Sequence, residues 1–358
     1  MEHRRCLVTI TDNIGPTSMP YNEFLLYRRK HFIDEKQILI LLFKKELSPG
    51  IEIPEDVSSY ITGKSISLLR KTINQILREY SEVVFHIHEG KSVILFSLAT
   101  FGSCHKNTIY TLHSTYRNYP FHNKLFSAIA SILSKDVVCV SKTSLMYYPK
   151  WLKWLRGSHV GYIQNGVDTE RIDSVDASII EKNRPFTLIY VARLVGLKRH
   201  HILFEALKEL PDVKLQLVGT GSLKEELKRK ARDFGIEDRV EFYGLKPREQ
   251  VYRMLKEADL YVSTSSYEGL PIGVLEALGC GTPCLVSDIE QHAEIAEKCP
   301  SLQLCSDDVG QWVQKIYCQK KLSKSDIAII KHQNRISVKK YFSLATMHQH
   351  YNELYYKR

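Results

Sequence analysis

Ser263-Thr-Ser-Ser-Tyr-Glu268-Gly269-Leu270-Pro271-Ile272-Gly273-Val-Leu-Glu276-Ala-Leu278 is the stretch on which the reading of this chain turns. β-Prone residues run up to Ser265, a loop carries Glu268 and Gly269, and a helix is expected to begin around Pro271, a residue suited to a first helical turn. On one continuous helix of 3.6 residues per turn, Glu268 and Glu276 would be turned about 80° apart. With Glu268 in the loop and Glu276 in the second turn, both carboxylates look into one crevice. Gly269 and Gly273 leave backbone N–H groups accessible at the helix N-terminus, where unsatisfied donors and the helix dipole attract phosphate. Spacing alone leaves a second reading open, in which one Glu is favoured by the dipole, the other is a surface residue, and the glycines serve close packing.

Outward from this stretch strand-like and helical segments alternate, without an internal sequence repeat. Short runs rich in Val, Ile, Leu and Tyr alternate with segments of helical period, which is the pattern of βαβ units around a parallel sheet. Strands are expected at 187–194, 213–219, 239–244, 258–265, 282–288 and 301–305. Ser222-Leu-Lys-Glu225 reads as a capping box that opens a helix carrying Leu223, Leu227 and Ala231. The first half reads less cleanly. Strands are expected at 6–12, 37–43, 83–89, 108–113 and 136–141, helices near 65–82 and 124–135, and an irregular loop over 44–64.

A chain of 358 residues is roughly twice the usual single-domain length, so two domains are the prior. Strand-like residues 160–163 end in Asn165-Gly166, a turn signal, and the polar stretch 182–185 is a second linker candidate. The expected division is 1–161, 162–335, and a C-terminal helix over 336–358. Hydrophobic residues at 44% and charged residues at 25% are those of an ordinary globular protein. The apolar runs 7–10 and 38–43 are too short for a signal-peptide core or a membrane span, which points to the cytoplasm. Eight cysteines without a C-x-x-C pair agree with that, and Cys280 and Cys284 lack a second pair at zinc-ligand spacing. The formal charge of +10 points to an anionic partner without choosing among nucleotide, nucleic acid and acidic membrane.

Glu268-x7-Glu276 with Gly-Leu-Pro between, followed by Glu-Ala-Leu-Gly-Cys-Gly-Thr-Pro-Cys-Leu-Val-Ser-Asp288, resembles the signature of glycosyltransferase family 4. Tyr190-Val-Ala-Arg193-Leu-Val-Gly-Leu-Lys198, Leu217-Val-Gly219-Thr-Gly221, Val240-Glu-Phe-Tyr-Gly244 and Tyr162-Ile-Gln-Asn165-Gly-Val-Asp168 resemble further family motifs. The likeness is close over about 160–290 and loose in the first half. It implies the GT-B fold, two Rossmann-like α/β domains facing across a deep cleft, with acceptor on the first and nucleotide-sugar donor on the second. It implies a retaining transfer without a divalent metal or other cofactor, in bacterial polysaccharide or lipopolysaccharide synthesis. Arg193 and Lys198 are then assigned to the donor diphosphate, and two fixed cations where charge develops would lower the barrier. Glu276 is assigned to the ribose hydroxyls. Glu268, with backbone around Gly269, Leu270, Pro271 and Ile272, is assigned to the donor sugar. Gly244 and Leu245 join the nucleotide-binding set, while Gly219 and Gly221 are read as permitting a tight turn rather than touching phosphate.

In the first half, His86, His88 and His113 stand at strand ends, where open α/β sheets place ligands. His86 and His88 are read as supporting the fold, and the resemblance raises His113 towards the donor sugar and acceptor. The family's first loop carries a glycine pair near the diphosphate. Here the stretch is Asp12-Asn-Ile-Gly15-Pro16, in which Gly15 is a candidate for that contact and Pro16 lacks a backbone donor. Lys198 is followed by Arg199 where the family often has Gly. Lys150-Trp-Leu-Lys-Trp-Leu-Arg156 and the helix over 124–135 are amphipathic and basic. They suit either the inner face of an anionic membrane or packing on their own sheet. A nucleotide-sugar epimerase or hydrolase of the same fold is the nearest rival. A nucleic-acid binder lacks any known motif, and an NAD enzyme lacks G-x-G-x-x-G after a strand.

Overall fold

The computed structural model describes residues 5–12, 14–15, 25–43, 52–177 and 184–356. The chain divides into two units, one formed by 1–165 with 347–358 and the other by 166–346. The first unit is built on seven strands: β1 (Arg5–Thr11), β2 (Glu35–Leu41), β3 (Ser58–Ile61), β4 (Glu82–Ile87), β5 (Thr108–Leu112), β6 (Asp136–Cys139) and β7 (Val160–Tyr162). Their order in the sheet is β3-β2-β1-β4-β5-β6-β7, and every neighbouring pair is parallel. Its helices are α1 (Tyr27–His31), α2 (Ile66–Glu79), α3 (Gly90–Thr100), α4 (Phe121–Leu133), α5 (Lys142–Met146) and α6 (Lys150–Arg156).

The second unit has six parallel strands, β8 (Phe186–Val191), β9 (Val213–Val218), β10 (Val240–Gly244), β11 (Leu260–Ser263), β12 (Cys284–Ser287) and β13 (Gln303–Cys305), in the order β10-β9-β8-β11-β12-β13. Its helices are α7 (Thr169–Asp173), α8 (His200–Lys208), α9 (Lys224–Asp233), α10 (Arg248–Glu257), α11 (Ile272–Gly279), α12 (Glu290–Ala296), α13 (Val309–Lys320) and α14 (Lys324–Tyr341). The last helix, α15 (Leu344–Tyr355), packs with the first unit over most of its length. Two sheets buried on both faces explain the near-continuous apolar strands, since crossover helices cover each side of a parallel sheet. Val8, Ile10, Phe85 and Ile87 lie in the first core, and Leu188, Leu215, Leu217 and Val262 in the second. Two Rossmann-like α/β units are thus observed, as expected.

The differences have local causes. β3 falls inside the stretch read as a loop; it is a four-residue strand with no buried residue, so little apolar alternation marks it. α3 was not anticipated because Val93-Ile-Leu-Phe96-Ser-Leu98 carries no helical period. The capping box at Ser222 does not form. α9 begins at Lys224 with Leu223 as its N-cap and no side-chain cap, because Leu223 N–H instead donates to the Leu194 carbonyl at 3.0 Å. The helical segment expected at the C-terminus is broken at Phe342-Ser343. Val167 N–H donates to Phe342 O at 2.8 Å and Leu344 N–H to Val167 O at 2.9 Å. Gly166 is required by this crossing rather than by a turn, since a Cβ there would lie 2.5 Å from Ser343 O. Pro16 and residues 182–183 of the polar linker candidate lie outside the described residues.

A buried ion pair ties α15 to the first sheet. Arg28 is fully buried and bidentate to Glu35 at 2.7 Å, and it also donates to Asn352 Oδ1 at 2.8 Å and to His348 Nδ1 at 3.3 Å. Such a network specifies one docking of the helix, because moving it would strand a desolvated charge.

Candidate functional site

In an open parallel sheet, ligands bind beyond the carboxyl ends of the strands where the connection order reverses. In the second unit that point lies between β8 and β11, since β8 leads away to β9 on one side and β11 to β12 on the other. The loop after β8 carries Arg193 and Lys198, and the loop after β11 carries Glu268, so residues 70 positions apart are neighbours. Lys198 Nζ is ion-paired to Glu268 Oε1, with side-chain exposures of 14% and 13%. The loops are also joined through the backbone. Ser266 N–H donates to Leu197 O at 2.9 Å, and Thr264 Oγ donates to Lys198 O at 2.8 Å. Tyr190, buried at the end of β8, donates to Lys198 O at 3.2 Å and lies 3.0 Å from Ser265 Oγ. The guanidinium of Arg193 is exposed and makes no ion pair among the described residues.

Glu268 lies in the loop and Glu276 in the second turn of α11, with Pro271 as N-cap. Glu276 is 3% exposed, and its Oε1 accepts from Tyr252 OH at 3.1 Å and from the Arg248 guanidinium. Arg248 and Tyr252 lie on α10 at 28 and 24 positions' separation, beyond the reach of any local pattern. Leu270 is buried, Gly269 is partly buried, and Ile272 opens α11. Gly273 packs against Tyr261 and the Val191 carbonyl, where a Cβ would approach to 2.9 and 3.1 Å. Gly219 and Gly221 lie on the backbone of the Arg193 loop: a Cβ would stand 2.0 Å from Ala192 O and 2.3 Å from Leu194 O, respectively. Gly244, at φ +68°, has open space beside it, and Leu245 is exposed.

Two buried histidines flank the loops. His292 on α12 has its Nδ1 2.7 Å from the Ser287 carbonyl, so that nitrogen carries the proton in the neutral ring. Burial, opposed by the Glu268 charge and the Ser287 carbonyl and aided by Lys198 and Arg199, brings it down to about 4. His200, at the start of α8, is brought down to about 4 by burial and then by the Lys198 charge. Both are neutral near pH 7, so the fixed positive charge on the β8 loop is that of Arg193, Lys198 and Arg199.

The first unit holds Gly15 and His113. Its order reverses between β1 and β4. Glu89, just past β4, accepts from Thr11 Oγ at 3.0 Å and from Asp12 N–H at 3.1 Å, while Asp12 accepts from Ser92 Oγ at 2.5 Å and pairs with Lys91. Burial, then the charge of Asp12, pushes Glu89 up to about 8. This carboxyl was not singled out from the sequence, because its partner Asp12 is 77 residues away. His113 Nε2 is 2.9 Å from His88 Nδ1, and burial brings His113 down to about 4. His86 sits deeper, between Thr111 Oγ at 2.7 Å and Tyr355 OH at 2.6 Å, which fits its supporting role. A Cβ at Gly15 would meet nothing within 4 Å. No group of three or more His, Cys, Asp or Glu side chains able to hold a metal occurs among the described residues, and no described helix is long and apolar enough to cross a membrane.

Residues 172–299 match the family description "Glycosyl transferases group 1". The lipopolysaccharide 1,6-galactosyltransferase of Salmonella typhimurium is 28% identical over 268 residues, 74% of this chain and 61% of that protein. The UDP-Gal:alpha-D-GlcNAc-diphosphoundecaprenol alpha-1,3-galactosyltransferase of Escherichia coli is 26% identical over 286 residues, 72% of this chain and 73% of that protein. Among solved structures, HepE of Anabaena in complex with UDP and glucose superposes with a TM-score of 0.77 at 18% identity, over 98% of this chain and all of that one.

Proposed function

Since residues 172–299 carry a glycosyl transferases group 1 domain in a chain of GT-B fold, bearing out the expected enzyme class, we propose that this protein transfers a hexose from a UDP-sugar to a saccharide or lipid-linked saccharide in bacterial surface-polysaccharide synthesis, with retention and without a metal ion. The observation that carries this reading is the Lys198–Glu268 pair at the β8/β11 switch point, beside the helix that presents Glu276.

The chemistry follows from where charge moves. The bond from C1 of the sugar to the diphosphate oxygen breaks and the bond from the acceptor oxygen to C1 forms, while the acceptor's proton passes to a donor phosphate oxygen. Negative charge grows on the departing diphosphate, and Lys198 and Arg193 are the cations supplied to meet it. Lys198 exchanges Glu268 for phosphate, which frees Glu268 for the hydroxyls of the donor sugar. Arg248 and Tyr252 hold Glu276 as an acceptor for the ribose hydroxyls. Side-chain cations take the place a Lewis-acidic metal would otherwise fill. His113, neutral and braced by His88, offers its other ring nitrogen to sugar or acceptor hydroxyls. In the first unit α4 and α6 are adjacent, and they expose Phe121 (85%), Leu125 (50%), Trp151 (56%) and Trp154 (85%). Between residues 90 and 167 nine Lys or Arg accompany one acid, Asp136, a balance suited to peripheral contact with an anionic membrane where a lipid-linked acceptor resides.

The test is transfer from radiolabelled UDP-galactose to a lipid-linked GlcNAc acceptor, with EDTA and with the product's anomeric configuration read by NMR. Binding of UDP, acceptor-dependent release of UDP and full activity in EDTA are expected. Release of UDP at the same rate without acceptor would favour a hydrolase or epimerase, and loss in EDTA restored by magnesium would refute the metal-free mechanism.

A further inference from the structure

Arg199 adopts φ +46° and ψ +44° as the N-cap of α8. Side chains with a Cβ adopt that left-handed conformation at a cost, and glycine at none. An arginine there must be compensated by what its side chain does. Its Nε donates to Thr264 O at 2.8 Å, its Nη2 to Ser265 O at 3.1 Å, and its Nη1 to Asp307 Oδ2 at 2.5 Å. The two carbonyls directly follow β11 and precede Glu268, and Ser265 O is also held by Ser287 Oγ at 2.6 Å.

We propose that Arg199 is a positioning residue whose guanidinium, spanning the Thr264 and Ser265 carbonyls, sets the Glu268 loop against the Lys198 loop. The proposal rests on the reading of these loops as the donor site. Leu197 O, Lys198 O and Arg199 O accept from Ser266 N–H and Thr264 Oγ, so bonds from the acid loop run towards the cation loop. Arg199 supplies bonds in the opposite direction. A planar fork can reach two successive carbonyls and a carboxylate at once, whereas an ammonium cannot reproduce that geometry. The Arg199 side chain is 18% exposed and Asp307 is 64% exposed, which makes the carboxylate the outer, water-facing partner and the carbonyls the inner ones.

The experiment compares wild type, Arg199→Gly and Arg199→Lys by hydrogen exchange, melting and kinetics. Glycine removes the strain together with the fork, so Arg199→Gly is expected to melt within about 4 °C of wild type. Amide exchange over 264–268 should accelerate at least tenfold, and kcat should fall about 10- to 100-fold with donor KM nearly unchanged, as expected for reacting groups displaced by a fraction of an ångström. Arg199→Lys should resemble Arg199→Gly in exchange and kcat but melt lower, because its Cβ keeps the left-handed strain, and guanidinium ion below denaturing concentration should restore protection and turnover in Arg199→Gly. Unchanged exchange over 264–268 in Arg199→Gly would overturn the proposal. So would a wild-type-like Arg199→Lys, or faster exchange spread evenly through the unit with a collapsed melting point. Wild type that bound no UDP would count against the donor reading alone, because the exchange comparison does not depend on it.

Discussion

Removing the charge of Glu268 should move affinity and turnover in opposite directions. The Lys198 ammonium is paired with Glu268, and both side chains are mostly withdrawn from water. A diphosphate that recruits Lys198 must weaken that pair while lying close to a carboxylate of its own sign. Two unit charges about 4 Å apart at an effective dielectric near 20 interact by about 4 kcal/mol, an upper figure before hydration is counted. Measured couplings between such neighbours fall at roughly 0.5–3 kcal/mol. If about half of the pair's interaction is given up on binding, Glu268→Gln gains roughly 0.25–1.5 kcal/mol for UDP, which is a Kd lower by about 1.5- to 13-fold. The same substitution should lower kcat at least tenfold, since Glu268 is assigned to the sugar that UDP lacks. Titration calorimetry with UDP and steady-state transfer on the same preparations provide the two readings. Lys198→Ala should weaken UDP binding and lower kcat by about 10²- to 10³-fold. In that background, Glu268→Gln should recover less than it does alone. Unchanged or weaker UDP binding in Glu268→Gln would refute the reasoning that the pair competes with diphosphate.

Three further outcomes follow from geometry and titration. Glu89 holds a proton in the folded chain up to about pH 8, against an ordinary value of 4.5, so its contribution to stability is full at acid pH and is lost as pH rises from about 4.5 through 8. His113, His200 and His292, held down to about 4, act oppositely, and their contribution is lost as pH falls from about 6.5 towards 4. Glu89→Gln should therefore raise the melting temperature at pH 8 and change it little at pH 5, and a wild-type curve flat between pH 6 and 9 would contradict this. Arg28→Met leaves Glu35 buried without its bidentate partner and should cost about 3–5 kcal/mol in urea unfolding, with Arg28→Met/Glu35→Gln less damaging than Arg28→Met. Gly221→Ala places a methyl 2.3 Å from Leu194 O, so the Arg193 loop must shift. A loss of about 1–3 kcal/mol with reduced kcat is expected, and a variant unchanged in both would show that the close approach is dispensable.

What could be read from the sequence was local. The strand, loop and helix from Ser263 to Leu278 announced themselves because a β-prone run, a glycine loop and a helix-starting proline fall within sixteen consecutive residues, and Pro271 is indeed the N-cap of α11. Glu276 could be nominated from that stretch, but its holders Arg248 and Tyr252 could not, since they come from another βα unit. The capping box at Ser222 failed for a related reason. The local motif was present, yet tertiary hydrogen bonding of Leu223 to Leu194 took the helix start elsewhere. In the first unit, α3 is apolar on all sides and so lacks the periodicity that would have marked it.

The meeting of Lys198 with Glu268 depends on a fact that spacing along the chain does not contain, namely that β11 inserts beside β8 while β9 and β10 extend the sheet the other way. Any βαβ sequence with six strands admits several orders, and only those that make β8 and β11 neighbours bring the two loops into hydrogen-bonding range. The resemblance to a known family assigned both loops to one donor without stating that order, which the sheet supplies. The physical basis is now visible in the bonds between Leu197, Lys198 and Arg199 and their partners Thr264, Ser265 and Ser266. Those bonds close at strand ends, where sheet geometry leaves carbonyls and N–H groups without ladder partners. The meeting of the two loops is therefore placed by topology and then secured by whichever side chains can satisfy the freed backbone. At that point an arginine in a glycine's conformation becomes informative: its contacts, unlike its sequence position, join the start of α8 to the Thr264 and Ser265 carbonyls.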